Sequence, residues 1–352
     1  MRRKAAALLL LLLASRAFAQ ERYMVSLWQG GAKGAYSLTL DDFCGDWARG
    51  IWAHADAIAR GEGIRFGFAV ISGQCTAGLW EKARSMAEWG HEPLNHSWSH
   101  ACPTEEAWCV ASAGRRRWTD LALEIDSSTA AVERGTGVRP VVFAFPFDVS
   151  LPEQRKALEE RGYVAFRTSG GRLNDPEVDL PALYSADAEF PKGDPGRNAW
   201  QRFSMDSLPK AAAERGMWGV RTMHGVDDAS WGALSRGEFA AHMALLARMS
   251  KSRELWVAPP GDVVLYAAMR DEVRFSKSPA AGPHGGTVVE YSNALDSLAA
   301  LRPGLKLTVE VSGRELRRAW QGGEELPVVR AGRYFLVDVS ARSGAFEAEF
   351  AE

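Results

Sequence analysis

Strand-like and helix-like segments alternate along most of this 352-residue chain. A strand–helix order repeated this often is typical of parallel strands joined by crossover helices. The pattern allows an α/β barrel or an open doubly wound sheet, and we favour a distorted (β/α)7-type barrel. The seven predicted strands are YSLTL (36–40), RFGFAVI (65–71), HEPLN (91–95), VVFAF (141–145), YVAFRT (163–168), MWGVRTM (217–223) and RELWVA (253–258).

Two further regions depart from this alternation. Residues 175–210, rich in Pro, Asp and Gly, are predicted to form long loops. After Val273 the strand–helix pattern ends: residues 275–286 look like a linker, and several short strand-like runs follow with no helix between them. Such a series of strands indicates a small β-sandwich. We therefore predict a barrel domain over residues 20–272 and an all-β, sandwich-like C-terminal domain over residues 273–352.

The first nineteen residues have the features of a signal peptide. MRRK supplies positive charge, AAALLLLLLA a short apolar run, and AFA a small-residue cleavage pattern. The apolar run is shorter than the ~20 residues that span a bilayer. We predict cleavage near Ala19, export to the periplasm or the extracellular medium, and no stable membrane span afterwards. A retained signal anchor is the alternative.

Charge and cysteine content narrow the function classes. Without residues 1–19 the chain has 38 basic and 44 acidic residues, a net charge of −6, which argues against a nucleic-acid-binding protein. Four cysteines in an exported chain favour disulfides, and three pairings are open. We prefer Cys102–Cys109, which closes a short loop, with Cys44–Cys75. A cysteine metal site is the alternative, but no CxxC spacing supports it.

Two polar groups follow predicted strands and point to a metal. Asp41 and Asp42 end the first barrel strand, and His96 and His100 lie four residues apart after the third. The carboxyl ends of strands form the functional face of such folds, and two imidazoles at this spacing suit a divalent ion. A helix-capping Asp beside a solvated one, with two polar loop histidines, is the alternative. Taken together, the groups favour a site of one Asp and two His with open positions for hydrolytic chemistry.

These residues resemble the motifs of the NodB-homology polysaccharide deacetylases, carbohydrate esterase family four. TLDD (39–42) is similar to the first motif, T-F-D-D, and HSWSH (96–100) matches the second, H-[ST]-x-x-H. AFPF (144–147) resembles the third, R-x-P-[FY], but without its Arg. His224 matches the His of the fifth motif, L-x-x-H, whose Leu position holds Arg221. The fourth motif, D-x-x-D-W, has no evident match. The resemblance covers roughly residues 34–272.

The resemblance implies a role for each metal ligand. Asp42 would bind a divalent metal ion together with His96 and His100. Zinc is the first expectation, and cobalt, nickel or manganese are alternatives for this donor set.

It also implies the catalytic groups. Asp41 would be the general base that activates water, and His224 the general acid that protonates the leaving group. The backbone N–H of Phe147 would stabilise the oxyanion. In the family the third-motif Arg steadies the charge of the catalytic Asp, and here that position is Ala144. We hypothesise that Arg167, which ends a neighbouring strand, takes this task; a surface ion pair is its alternative.

The predicted function is that of an exported, metal-dependent hydrolase acting on C–N amide bonds other than peptide bonds. It would remove acetyl groups, N-acetyl first, from a carbohydrate, and Trp98 and Trp256 are candidates for lining the substrate site. Alternatives are an O-acetyl esterase on a glycan, a hydrolase of a non-sugar amide, and a saccharide-binding protein without turnover.

Overall fold

The computed structural model describes residues 20–180, 184–188 and 204–351. The predicted signal peptide, residues 1–19, lies outside the described residues. Within the described part of the chain, no helix is both long enough and apolar enough to cross a bilayer.

The strands and helices follow the alternation read from the sequence. The strands are β1 (Arg22–Val25), β2 (Gly34–Phe43), β3 (Gly67–Val70), β4 (Glu92–Asn95), β5 (Val142–Ala144), β6 (Ala165–Ser169), β7 (Tyr184–Ala188), β8 (Trp218–Met223), β9 (Leu255–Val257), β10 (Val273–Ala281), β11 (Thr287–Asn293), β12 (Lys306–Ser312), β13 (Leu316–Gln321), β14 (Glu324–Leu326), β15 (Val328–Ala331), β16 (Tyr334–Ser340) and β17 (Gly344–Phe350). The α-helices are α1 (Asp56–Gly61), α2 (Ala77–Trp89), α3 (Ala107–Ser112), α4 (Ser128–Thr136), α5 (Pro152–Glu160), α6 (Ser207–Arg215), α7 (Arg236–Lys251), α8 (Pro260–Arg270) and α9 (Asp296–Ala299).

Eight strands form one parallel sheet in the order β7-β6-β5-β4-β3-β2-β8, and β9 also pairs with β2. The predicted barrel is confirmed, and the open doubly wound sheet is excluded because the sheet is nearly closed, with its end strands β7 and β8 near each other. All ten residues of β2 are buried, as expected for the strand that pairs with three others. Strand β7 lies within residues 175–210, so the prediction of loops throughout that region is wrong.

Asn174 completes the barrel between β7 and β8. Its backbone pairs with Trp218 at the start of β8. Its side-chain amide donates to the carbonyl of Asp187 at 2.8 Å, and its Oδ1 accepts from the N–H of the same residue at 2.7 Å. One buried asparagine therefore satisfies backbone groups of β7 that a regular neighbouring strand would otherwise satisfy.

The C-terminal all-β portion consists of two antiparallel sheets, ordered β1-β12-β16-β15 and β10-β11-β17-β13-β14. Strand β1 contributes from the other end of the described chain by pairing with β12. The predicted linker over residues 275–286 is wrong, because Phe275 to Ala281 belong to β10. The division at residues 272 and 273 stays a prediction.

Helix α8 joins the barrel to the β portion. Every residue of this helix is buried, and its apolar residues share one core cluster with both regions. Tyr266 donates from its hydroxyl to the carbonyl of Ser26 at 3.0 Å. A helix that is buried on all sides in this way is one that packs between two layers.

Two disulfides are present, Cys44–Cys75 and Cys102–Cys109, which confirms the preferred pairing. The first fixes the turn that follows β2. The second closes the loop that follows the HSWSH segment.

Candidate metal centre and catalytic site

The end of β2 brings two successive carboxylates into one buried site. Successive residues of a regular strand point to opposite faces of the sheet. Here the register of β2 against β3 shifts between Leu40 and Phe43, and Asp42 has a φ of 67°. This irregularity breaks the alternation, so that Asp41 and Asp42 both lie among the groups described below. Their exposed fractions are only 2% and 5%.

The structure brings Asp42, His96 and His100 together. Oδ1 of Asp42 lies 3.3 Å from Nε2 of His96 and 3.1 Å from Nε2 of His100. One ligand atom from each of the three residues lies within 4.8 Å of the other two. The two histidines come from the segment after β4, the third strand predicted from the sequence. The sequence spacing therefore identified side chains that converge in space.

The imidazole of His96 is oriented by a backbone carbonyl. Its Nδ1 donates to the carbonyl oxygen of Ala144 at 2.6 Å, which directs Nε2 toward Asp42. Ala144 is the position where the third-motif Arg is missing. It contributes to the site through its backbone rather than its side chain.

A positive charge fits between these three groups. Oδ1 of Asp42 is buried and lacks a partner with hydrogen-bond geometry among the described residues, despite the two nearby nitrogens. Burial alone would raise the pKa of Asp42, but His100 and His96 hold it well below its usual range. Burial would lower the pKa of His96, but Asp42 and Asp41 raise it. One carboxylate oxygen and two imidazole nitrogens are a donor set suited to zinc and related divalent ions.

The second carboxylate oxygen of Asp42 is held by a tryptophan. Nε1 of Trp47 donates to Oδ2 of Asp42 at 2.7 Å. The chain turns back at once because the N–H of Gly45 donates to the carbonyl of Asp42 at 2.7 Å. A Cβ at Gly45 would lie 2.8 Å from the Trp47 ring, so the turn requires glycine here. The indole thereby leaves Oδ1 as the oxygen that faces the histidines. Nothing in the sequence pattern indicated this contact.

Asp41 is paired with Arg167, as hypothesised. Nη1 of Arg167 donates to Oδ1 of Asp41 at 2.5 Å, and its Nε and Nη2 donate to Oδ1 of Asp148 at 3.1 and 2.8 Å. The Arg167 side chain is 3% exposed, so the surface ion pair is excluded. Burial alone would raise the pKa of Asp41, but Arg167 and His96 lower it, whereas burial dominates for Asp148 and raises its pKa.

Asp148 is a site residue that the sequence reasoning missed. It follows the AFPF segment directly and has a φ of 54°. A carboxylate placed just after the carboxyl end of β5 was the available signal.

His224 follows β8, the neighbour of β2. Leu40 pairs with Met223, so Asp41 and His224 are the next residues along the two strands. The imidazole of His224 is among the groups that lower the pKa of both Asp41 and Asp42. Its ring also contacts Trp231 edge-on, with 5.4 Å between ring centroids.

The other predicted residues have different outcomes. Phe147 has a φ of 60°, and its ring lies 4.9 Å from that of His100; the role of its N–H stays a prediction. Trp98 is half-buried in the HSWSH segment, and its substrate contact also stays a prediction. The prediction for Trp256 is wrong. It pairs with Ala35 at the opposite end of β2, is 9% exposed, and packs on Tyr266 in the core.

Comparison with known proteins agrees with the motif analysis. Residues 29–166 match the family model described as polysaccharide deacetylase. This segment is therefore similar to the polysaccharide deacetylase family. The family comprises hydrolases that act on acetylated substrates. No curated protein matches the sequence.

Several solved structures are similar to the barrel of this chain. A Mycobacterium smegmatis protein provisionally assigned as a polysaccharide deacetylase is 16% identical, aligned over 68% of this chain and 92% of that one, with a TM-score of 0.46. A family 4 carbohydrate esterase from Streptomyces lividans, solved with acetate, is 20% identical, aligned over 64% of this chain and 91% of that one, with a TM-score of 0.38. A peptidoglycan deacetylase from Bacillus subtilis is 16% identical, aligned over 65% of this chain and 89% of that one, with a TM-score of 0.38. Because each TM-score is below 0.5, these similarities support no conclusion about the activity of this chain.

Proposed function

We propose that this protein is an exported, metal-dependent deacetylase that hydrolyses acetyl groups, N-acetyl groups first, on a carbohydrate. The observation that carries the proposal is the position of Asp42 Oδ1, buried 3.1 and 3.3 Å from two imidazole nitrogens, beside a second carboxylate held by an arginine. The pairing of all four cysteines and the signal-like start support export.

Asp42, His96 and His100 would hold the ion. When bound, a divalent ion of this kind lowers the pKa of water and polarises a carbonyl group. The protein's own contribution is to exclude solvent from the three ligands and to fix their orientation through Ala144 and Trp47.

Asp41 serves as the general base. The guanidinium of Arg167 keeps its carboxylate ionised in a buried position, so that it accepts a proton from the attacking water. Asp148 shares the charge of Arg167 and holds the guanidinium in place. Arg167, held by Asp148, thus supplies what the family assigns to the third-motif Arg.

His224 serves as the general acid on the other side of the reacting carbonyl. Water oxygen adds to the acetyl carbon, the bond from that carbon to the leaving nitrogen breaks, and His224 donates a proton to that nitrogen. The products are acetate and an amine. The backbone N–H of Phe147 would stabilise negative charge on the carbonyl oxygen during this step.

The O-acetyl esterase and the non-sugar amide hydrolase use the same residues and differ only in the leaving group. The saccharide-binding alternative drew its support from the missing Arg. Because Arg167 contacts Asp41 directly, that support is removed.

Acetate release from acetylated glycans tests this proposal. Chitin oligomers and acetylated xylan distinguish amide from ester substrates, and a chelator followed by zinc tests the metal. We expect chelator-sensitive release that falls by about a hundredfold or more in Asp41→Asn and in His224→Ala. Metal binding without any effect of either substitution on turnover would show that the assigned roles are wrong.

A further inference from the structure

The HSWSH segment has a backbone conformation that its own residues do not favour. Ser97 has a φ of 67° and His100 a φ of 55°, in the left-handed region that residues other than glycine rarely occupy. Such conformations cost free energy and persist where the surrounding structure fixes them. The backbone between His96 and His100 is therefore held by contacts with other parts of the chain.

The turn that follows β3, Ser72–Gln74, holds the carbonyl groups of the segment. The N–H of Ser72 donates to the carbonyl of Ser97 at 3.2 Å, and the N–H of Gly73 donates to the carbonyl of Trp98 at 2.9 Å. A Cβ at Gly73 would lie 2.6 Å from that carbonyl oxygen of Trp98, so this close approach requires glycine. One side of the segment is thus fixed by backbone contacts.

The carboxylate of Glu124 holds the N–H groups on the opposite side of the segment. Its Oε2 accepts from the N–H of Trp98 at 3.1 Å and from the N–H of Ser99 at 3.0 Å, and its Oε1 accepts from the hydroxyl of Ser99 at 2.6 Å. Glu124 is only 3% exposed and lies in the helical turn Ala122–Ser127, just before α4. A buried side chain from another part of the barrel thus fixes the two middle residues between the histidines.

Two serine hydroxyls extend this contact to the end of the segment. The N–H of His100 donates to Oγ of Ser97 at 3.0 Å, and the N–H of Ala101 donates to Oγ of Ser99 at 3.1 Å. The hydroxyl of Ser99 therefore links Glu124 to the residue that follows His100. Loss of the carboxylate would release both the middle of the segment and the backbone next to the second histidine.

We propose that Glu124 is a positioning residue for the metal centre, because its carboxylate holds the backbone that sets the separation and direction of the imidazoles of His96 and His100. Groups that orient metal ligands raise the affinity of a site for its ion. The three donors to Glu124 are neutral groups, so the reach of its oxygens, rather than their charge, is the property that holds the segment. This inference rests on the proposed metal site and adds a residue outside the motifs.

Substitutions of Glu124 separate the reach of its oxygens from their charge. Glu124→Ala removes the acceptors, Glu124→Gln keeps an oxygen at the same reach without the charge, and Glu124→Asp keeps the charge but shortens the side chain by one methylene. Glu347→Ala is the matched control in the C-terminal sheets. Glu347 is 5% exposed and likewise accepts from two backbone N–H groups, those of His284 and Gly286, and from one side-chain group, Nδ1 of His284.

Zinc affinity of each purified protein is measured by competition with a fluorescent chelator, without any turnover assay. We expect Glu124→Ala to bind zinc about tenfold more weakly than wild type, Glu124→Gln to recover most of this affinity, and Glu124→Asp to recover less of it than Glu124→Gln. Glu347→Ala should lower the melting temperature as Glu124→Ala does but keep wild-type zinc affinity. With cobalt bound, the visible absorption bands, which report ligand geometry, should change in Glu124→Ala and not in Glu347→Ala.

The outcomes separate this inference from the proposed function. Wild-type zinc affinity in Glu124→Ala overturns the inference, and acetate release by the wild-type protein would then leave the deacetylase standing. Tighter zinc binding by Glu124→Asp than by Glu124→Gln also overturns it, and this comparison decides the question if Glu124→Ala does not fold. Weaker zinc binding in Glu124→Ala that Glu124→Gln restores, without acetate release from any substrate, supports the inference and overturns the deacetylase.

Discussion

Strand β4 has buried charge at both of its ends, and the two ends differ in how that charge is satisfied. At the amino end, Oε2 of Glu92 accepts from the N–H of Gly261 at 2.7 Å, and Oε1 accepts from Arg302 at 2.5 Å. Arg302 also lies 3.5 Å from Asp262. Each carboxylate oxygen of Glu92 therefore has its own donor.

At the carboxyl end of β4, one buried carboxylate oxygen lacks a hydrogen-bond donor within the part of the chain that the structure describes. His96 follows β4 and directs a nitrogen toward Asp42, whose Oδ1 lacks a hydrogen bond among the described residues. Burying a charged group without a partner is costly, so a fold retains such an arrangement where something else supplies the charge. The comparison teaches that burial and charge alone do not mark a functional site. A buried carboxylate oxygen that converges with two imidazole nitrogens does.

The largest effect is expected from removing the ion pair between Arg302 and Glu92 at the amino end of β4. Arg302→Ala leaves the buried carboxylate of Glu92 without its positively charged partner, and we expect a loss of about 3 kcal/mol in the free energy of unfolding at pH 7. Because Arg302 lies far from the catalytic groups, kcat should stay at the wild-type value. Chemical denaturation and acetate release measure the two quantities. A fall in kcat with unchanged stability would contradict the view that the buried charge at the amino end of β4 serves the fold rather than turnover.

The pH dependence of the same variant sharpens this point. Burial raises the pKa of Glu92 against the lowering effect of Arg302, and loss of Arg302 raises it further. As the pH falls from 7 toward 4.5, the ordinary pKa of a glutamate, Glu92 is protonated in the folded variant before it is protonated in the unfolded chain. The free energy of unfolding of the variant should therefore rise over this range. The stability gap to wild type, measured by denaturation at pH 7 and pH 5, should narrow. A gap that widens at pH 5 would show that Glu92 stays ionised.

Removing Arg167, which pairs with Asp41 in the candidate site, should lower turnover. In Arg167→Ala we expect kcat at pH 7 to fall about a hundredfold, because Asp41 loses the charge that keeps it ionised. Burial raises the pKa of Asp41 and Arg167 opposes it, so the acid limb of the rate profile should move to higher pH. Acetate release measured across pH checks both effects, with Arg302→Ala as the matched control. Undiminished activity would remove Arg167 from the mechanism.

A smaller effect is expected from Trp47. Trp47→Phe keeps an aromatic ring but removes the N–H that holds Oδ2 of Asp42, and we expect about tenfold weaker zinc affinity. Competition with a fluorescent chelator measures this affinity without any turnover assay. Trp231→Phe, which makes the same change one loop away, is the control and should bind zinc like wild type. Equal affinity in all three proteins would show that the indole does not orient the ligand.

Much of the fold follows from the sequence because its signals are local. All seven predicted barrel strands are present, since each is a short apolar run followed by a helical segment. Strand β7 was missed because its YSADA sequence is polar and half-exposed at its start. Strand β10 was read as a linker because most of its residues are exposed, which hides strand periodicity.

The site was predictable where function imposes a fixed spacing. Asp42 lies one residue before the end of β2, and His96 and His100 follow the end of β4 within five residues. Arg167 lies in β6, whose carboxyl end meets the same edge of the sheet. Trp47 reaches Asp42 only through a turn with positive φ at Asp42 and Cys44, which sequence does not reveal. Trp256 was misassigned because the sequence of a strand does not show which end of the barrel each of its residues occupies. This residue lies at the buried amino end of the barrel.

The central claim is that Asp42, His96 and His100 bind one divalent ion. Elemental analysis and zinc titration of the purified protein, alongside His96→Ala and Glu92→Gln, test it directly. The account predicts about one zinc ion per chain in wild type and in Glu92→Gln, and loss of tight zinc binding in His96→Ala. Equal zinc content in His96→Ala and wild type, or no zinc binding by wild type, would contradict it.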